Sequence, residues 1–213
     1  MKILIRIIIA VIVTLIVIFF AVYLHEKKSN KQQKKSAYNL NVEEIKLIED
    51  GDIILRHGYG TISDIIAKTL NEKYDISHCA VLVKDTKNIN VIHTVSQTLS
   101  DFDGLQQQTL SRFIADSKPN SIIIVRYKGN KNQIISEKAK YYLALKVPFD
   151  HDFDINDTSK FYCNEFVLKL IKDVYNKDLL DNTCKSVDNK SQYKFNVFWD
   201  TTNFKIILNH HLK

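Results

Sequence analysis

Between Ile7 and Leu24 the chain reads IIIAVIVTLIVIFFAVYL, about 18 residues in which only Thr14 and Tyr23 carry polar groups. As an α-helix this run spans roughly 27 Å, close to the thickness of a bilayer's hydrocarbon core. Lipid offers no partner to a backbone N–H, so a helix that satisfies its own amides is the form such a run takes. Lys2 and Arg6 precede it, as in the charged start of a signal peptide. The apolar region is too long for a typical cleaved signal, however. It ends Phe20-Ala21-Val22-Tyr23-Leu24-His25, with neither a small-residue cleavage pattern nor a lipobox cysteine. Residues 1–25 are therefore expected to be an uncleaved transmembrane anchor.

Five lysines follow directly: Lys27, Lys28, Lys31, Lys34 and Lys35. They account for most of the net charge of +6. With no basic motif interleaved by aromatics elsewhere, nucleic acid is not an expected partner. Weighed against Lys2, Arg6 and the terminal amine, these lysines put the body on the cytoplasmic side by the positive-inside rule. The polar, aperiodic stretch 26–41 reads as a basic flexible linker. Residues 42–213 are enough for one domain with its own core, and nothing in them sets an oligomeric state.

Within the body, Val42 to Ile48 reads as a short helix ending near Gly51, and Asp52 to Arg56 as a strand stopped by His57-Gly58-Tyr59-Gly60. Thr61 or Ser63 is placed to cap a helix through Leu70. His78–Val83 and Asn90–Val95 flank a turn-rich segment and predict a hairpin. A helix around Leu110–Ala115, a buried strand over Ser121–Arg126 and a helix from Gln133 to Leu145 come next. Pro148 blocks any continuation of that last helix. From Cys163 the apolar stripe Phe166, Val167, Leu170, Ile171 and Val174 marks a strong helix. The remainder is aromatic-rich and irregular, with Phe195, Phe198, Trp199 and Phe204 covering the core. Strands and helices without strict alternation give an α+β fold.

Three cysteines, Cys79, Cys163 and Cys184, leave at least one free thiol, although a Cys79–Cys184 bridge is compatible with the count. A nucleophilic cysteine reacts as its thiolate and needs a depressed pKa. The amino end of a helix and a neighbouring histidine both supply this. Cys163 stands at an inferred helix start, whose free N–H groups can also hold an oxyanion. His78 and His93, on neighbouring strands, are the candidate base and the group that orients it.

The blocks Gly51-Asp52-Ile53-Ile54, Ser77-His78-Cys79-Ala80-Val81-Leu82-Val83, Val91-Ile92-His93, Val147-Pro148-Phe149-Asp150 and Phe161-Tyr162-Cys163-Asn164-Glu165-Phe166-Val167 resemble those of the permuted papain-like amidases. These YiiX/YebB-type proteins are related to the NlpC-type cysteine peptidases and to lecithin:retinol acyltransferase. The resemblance covers roughly residues 42–175 and implies a circularly permuted papain-like fold in which the histidine precedes the cysteine. It implies Cys163 as nucleophile, His78 as general base and acid, His93 as the third polar residue, and no cofactor. It also implies an amide or ester substrate, either a peptidoglycan stem peptide or a lipid. Against the positive-inside count, it places the body on the extracytoplasmic, periplasmic side of a bacterial-type membrane. Phe149 replaces a tyrosine of the family pattern, so oxyanion donors are expected among backbone N–H groups, and Asn164 replaces a serine. The alternative from another class is a non-catalytic peptide- or lipid-binding module on the same fold.

Other patterns rank lower. Asp150 to Asn156 lacks the glycine and distal glutamate of a calcium loop and reads as a solvated acidic loop. His57, His78 and His93 have no metal-ligand spacing. His210 and His211 are expected to be exposed, and Glu165 to cap its own helix or bind a basic neighbour rather than take part in the reaction.

Overall fold

A computed structural model describes residues 2–86, 88–97, 102–179 and 193–212. Its strands are β1 (Ile53–Arg56), β2 (His78–Lys84), β3 (Ile89–Val95), β4 (Gly104–Thr109), β5 (Ile123–Tyr127) and β6 (Phe204–Asn209). They form one antiparallel sheet in the order β4-β3-β2-β1-β5-β6. The helices are α1 (Lys2–Lys35), α2 (Val42–Lys46), α3 (Thr61–Leu70), α4 (Leu110–Ala115), α5 (Asn132–Ala144) and α6 (Cys163–Tyr175). The predicted hairpin is present as β2–β3, with Val81 opposite Ile92.

The period of two sorts the central strands between two cores. Ile53, Leu55, Cys79, Val81, Ile92 and Val125 pack against Phe166, Val167 and Leu170 of α6 and Ile135 of α5. Ile54, Ala80, Leu82, Val91 and Ile124 pack on the other face against Leu110, Phe113 and Ile114 of α4. Burial on both faces explains the near-continuous apolar run Ala80–Val83. Phe195, Phe198 and Phe204 lie in the first core, with Trp199 against it.

Two strands were not foreseen. β4 is a polar edge strand, Gly104-Leu105-Gln106-Gln107-Gln108-Thr109, pairing only with β3. Its glutamines suit an edge exposed to water and hide the apolar signal of a strand. β6 lies in the stretch expected to be irregular and pairs with β5 through an irregularity at Ile124/Val125.

The segment 26–41, expected to be a flexible linker, is helical as far as Lys35. Lysine and glutamine are good helix formers and no glycine or proline interrupts them. The body also holds this segment in place. Gly60 N–H donates to Ser29 Oγ (2.7 Å), Thr61 N–H to Glu26 Oε2 (3.0 Å), and Gln33 Nε2 to Asp116 (2.7 Å). His25 lies 3.2 Å from Asp64. The cap of α3 is accordingly neither Thr61 nor Ser63. Gly60 occupies the cap position at φ +96° with no side chain to offer, and Glu26 and Ser29 of α1 take the free N–H groups instead.

His210 corrects another expectation. It is buried, hydrogen-bonded to Tyr38, with its Nε2 2.9 Å from Glu44. Gly51 has φ +83°, and a Cβ there would fall 1.8 Å from the Asn132 carbonyl, so only glycine fits. The adjacent Asp52 is fully buried beneath β1 and is held by Arg126 of β5 through Nε (2.7 Å) and Nη2 (2.8 Å).

Candidate active site

The start of α6 is set locally. Tyr162 is extended at the cap position, and its N–H donates to Glu165 Oε2 (3.2 Å), so Glu165 reaches back to cap its own helix as expected. Burial pushes the Glu165 carboxyl up to about 8, against the pull of that N–H. The apolar stripe behind it seats α6 on β2 and fixes Cys163 over the end of the sheet.

The thiol of Cys163 is held below its ordinary range, chiefly by the hydrogen bond from the Cys79 side chain. Burial opposes this, while the N–H groups of Cys79, Asn164 and Cys163 itself add to it. Cys79 is fully buried, and burial drives its own thiol well up, so it stays protonated and donates. Both Cys79 and Cys163 are free thiols, whereas Cys184 lies outside the described residues. A helix start, three N–H groups and an S–H donor are a charge-stabilising cradle for sulfur.

His78 opens β2 and His93 lies on β3, and the two rings meet: His78 Nε2 and His93 Nδ1 are 2.8 Å apart. Phe113 packs against both, with ring centroids at 5.9 and 5.5 Å. Arg56 stacks on Phe113 at 4.1 Å and donates to its carbonyl (2.8 Å). Burial, then His93, then Arg56 hold His78 well below its ordinary pKa, and burial with Arg56 pushes His93 down to about 3. Both imidazoles are neutral at pH 7, the form that accepts a proton.

Strand alternation places the two halves of the site on different faces of β2. Cys79 points to α6 and the thiol, while His78 and His93 point to α4 and Phe113. They converge at the open end of the strand, where Cys163 and His78 line one cavity of about 700 Å³ with Ser77 and Thr94. The strongest influence on the thiol there is the Cys79 side chain, and the ring of His78 is hydrogen-bonded to His93. Cys79, Arg56 and Phe113 were not read from the sequence as part of the site. Alternation could have found Cys79, because the neighbour of a strand histidine faces the opposite layer, where the Cys163 helix packs.

Phe149 lines the same cavity with a ring that offers no donor, while the N–H groups at the start of α6 face the Cys163 thiol and are candidate oxyanion donors. In the acidic loop, Lys160 pairs with Asp152 and lies 3.4 Å from the buried Asp150 and 3.5 Å from Asp157. His57 is bound to Asp64 at 2.8 Å. Among the described residues no group of three or more His, Cys, Asp or Glu side chains is placed to hold a metal ion.

The buried histidine pair makes stability depend on pH. The folded pKa of His93 lies near 3 and the unfolded value near 6.5, so below about pH 6.5 the unfolded chain binds the extra proton. Stability present above pH 6.5 is expected to fall by up to about 1.4 kcal/mol per pH unit towards pH 3. Urea melts of wild type and His93→Gln at pH 7 and pH 5 measure this, and equal slopes with pH for the two proteins would refute it.

The model of the family described as permuted papain-like amidase enzymes, YaeF/YiiX, C92 family, matches residues 47–203. Among solved structures, the YiiX protein of Escherichia coli O157:H7, described as a metalloprotein, shares the fold at a TM-score of 0.55. It is 22% identical, and the alignment covers 76% of this chain and 97% of that one. No curated protein matches the chain.

Proposed function

We propose, from the premise that the chain belongs to the permuted papain-like amidase family of the YaeF/YiiX type, that it is a membrane-anchored cysteine hydrolase acting through an acyl-enzyme on Cys163. Among the described residues one helix, α1, is long and apolar enough to cross a membrane by length and composition. The observation that carries the reading is the opening of a thiol with a depressed pKa and of the neutral His78 onto one cavity, with His93 behind His78 at hydrogen-bond distance.

In this reading His78 uses Nδ1 as the base. Its Nε2–H then donates to His93 Nδ1, which fixes the tautomer and the ring. The Cys163 thiol gives its proton to His78 as the sulfur attacks the carbonyl carbon. The oxyanion is held by N–H groups at the start of α6. Collapse breaks the C–N or C–O bond, and the imidazolium gives its proton to the leaving amine or alcohol. Water, deprotonated by His78, then hydrolyses the thioester, releasing the acid and restoring the thiol.

One observation favours the non-catalytic alternative: the strongest influence on the Cys163 thiol is the Cys79 side chain, while the His78 ring is hydrogen-bonded to His93. Iodoacetamide labelling of Cys163 separates the readings. A poised thiolate is expected to label rapidly at about pH 6, and Cys79→Ala to slow that labelling several-fold by removing the S–H donor. Labelling only above about pH 8, unchanged by Cys79→Ala, would indicate an idle thiol.

A further inference from the structure

We infer that the acyl group taken up by Cys163 is the fatty chain of a membrane lipid, admitted to the cavity along α3 from the bilayer side. The inference rests on the hydrolase reading and adds to it the substrate class.

The first observation is the cavity's wall. Beyond the polar end that holds Cys163 and His78, it is lined by Ile62, Ile65, Ile66 and Leu70 of α3 and by Phe149 and Phe153 opposite. Ile62, Ile65 and Phe153 remain 42%, 57% and 45% exposed, so the apolar surface continues out of the mouth. The charge pattern suits a hydrocarbon chain better than a stem peptide. Among the described residues the lining holds Asp152, which pairs with Lys160, and His151 bound to Asp103, but itself includes neither lysine nor arginine to meet a peptide's carboxylates. A hydrocarbon chain needs no such partner.

The second observation is where the mouth is held. The apolar run of α1 ends at Leu24, and Ser29 and Glu26 of the same unbroken helix cap the start of α3. Five residues of helix rise only about 8 Å. Ile62, next to the capped Thr61, is therefore fixed close to the level where the anchor leaves the hydrocarbon. An amphipathic helix at that depth turns its apolar face into the headgroup–acyl boundary. Lys27, Lys28 and Lys31 flank the dock, where lysines attract anionic headgroups. A flexible tether would let the site reach outward to a distant polymer, whereas a docked helix keeps it at the surface. Catalysis then breaks the bond between the acyl carbon and the headgroup oxygen or nitrogen. The thioester forms on Cys163, and the imidazolium's proton leaves with the headgroup fragment.

The test uses the full chain in vesicles of equal parts phosphatidylcholine and phosphatidylglycerol. The substrates are the para-nitrophenyl acetate, butyrate, octanoate and palmitate esters, with a purified muropeptide as the competing substrate. Each methylene seated on α3 is worth roughly a two- to fourfold gain, so kcat/KM is expected to rise at least about tenfold from butyrate to octanoate. Ile65→Asp, at an exposed position that leaves the core intact, is expected to flatten that rise, and so is Ile62→Ser. A flat dependence on chain length, or a muropeptide cleaved faster than palmitate, would overturn the lipid assignment while leaving the hydrolase standing. Failure to turn over any ester or the muropeptide, together with an unreactive Cys163, would remove the hydrolase and this inference with it.

Discussion

Cys163→Ala is expected to lower turnover by about four to six orders of magnitude, and His78→Ala by a similar factor. The double variant is expected to be little worse than either single one. The reason is that the two groups act as one unit: without the base the thiol loses its proton acceptor, and without the thiol the base has no proton to take. Burial, His93 and Arg56 keep His78 neutral at pH 7, the form that accepts a proton, and the same influences weaken it as a base. Residual activity would come from the N–H groups at the start of α6 and from binding alone. His93→Ala is expected to cost less, because the base survives while its orientation is lost. Single-turnover kinetics on a cleaved ester decide the matter, and full turnover by either single variant would refute the mechanism.

Arg126→Met is expected to destabilise the body by about 3–5 kcal/mol. Asp52 is fully buried, with Arg126 gripping both carboxylate oxygens and Glu49 N–H donating to one of them (2.8 Å). Burial already raises the Asp52 carboxyl, and Arg126 opposes that rise first. Removing the guanidinium leaves a buried carboxyl that must either stay charged without a partner or take up a proton. Arg126 also donates to the Leu47 carbonyl (2.8 Å) and meets Glu49 (2.5 Å), so the end of α2 loosens as well. The double variant Arg126→Met with Asp52→Leu is expected to recover most of the loss, since an apolar pair carries no unmet charge. Denaturant melts of the two variants measure both values. An Arg126→Met midpoint equal to that of wild type would show that the ion pair contributes nothing.

Much of this was legible in the residues themselves. The run Ile7–Leu24 allows only a helix, because hydrocarbon gives a backbone amide no partner. The stripe behind Cys163 fixes a helix start, because a period near 3.6 admits no strand. His78 and His93 on adjacent predicted strands imply that they meet, and the two rings are 2.8 Å apart. β4 escaped notice because its glutamines suit an edge exposed to water and hide the apolar signature, whereas β6, Phe204-Lys205-Ile206-Ile207-Leu208-Asn209, is apolar but lies in a stretch read as irregular. Polarity likewise disguised residues 26–35, whose helix is stabilised by contacts with α3 that are remote in sequence.

Local pattern thus determined the membrane-length helix, the helix start beneath Cys163 and the histidine hairpin, each of which depends on neighbours a few residues away. Only the tertiary structure decided which thiol faces Cys163, what neutralises the histidines, and how α1 meets α3. Those depend on which strands pair, on which face of β2 each side chain points to, and on where one helix ends against another. Contacts between positions such as Cys79 and Cys163, or Ser29 and Gly60, carry no periodicity along the chain. They come into being only when the sheet closes and buries the groups that make them.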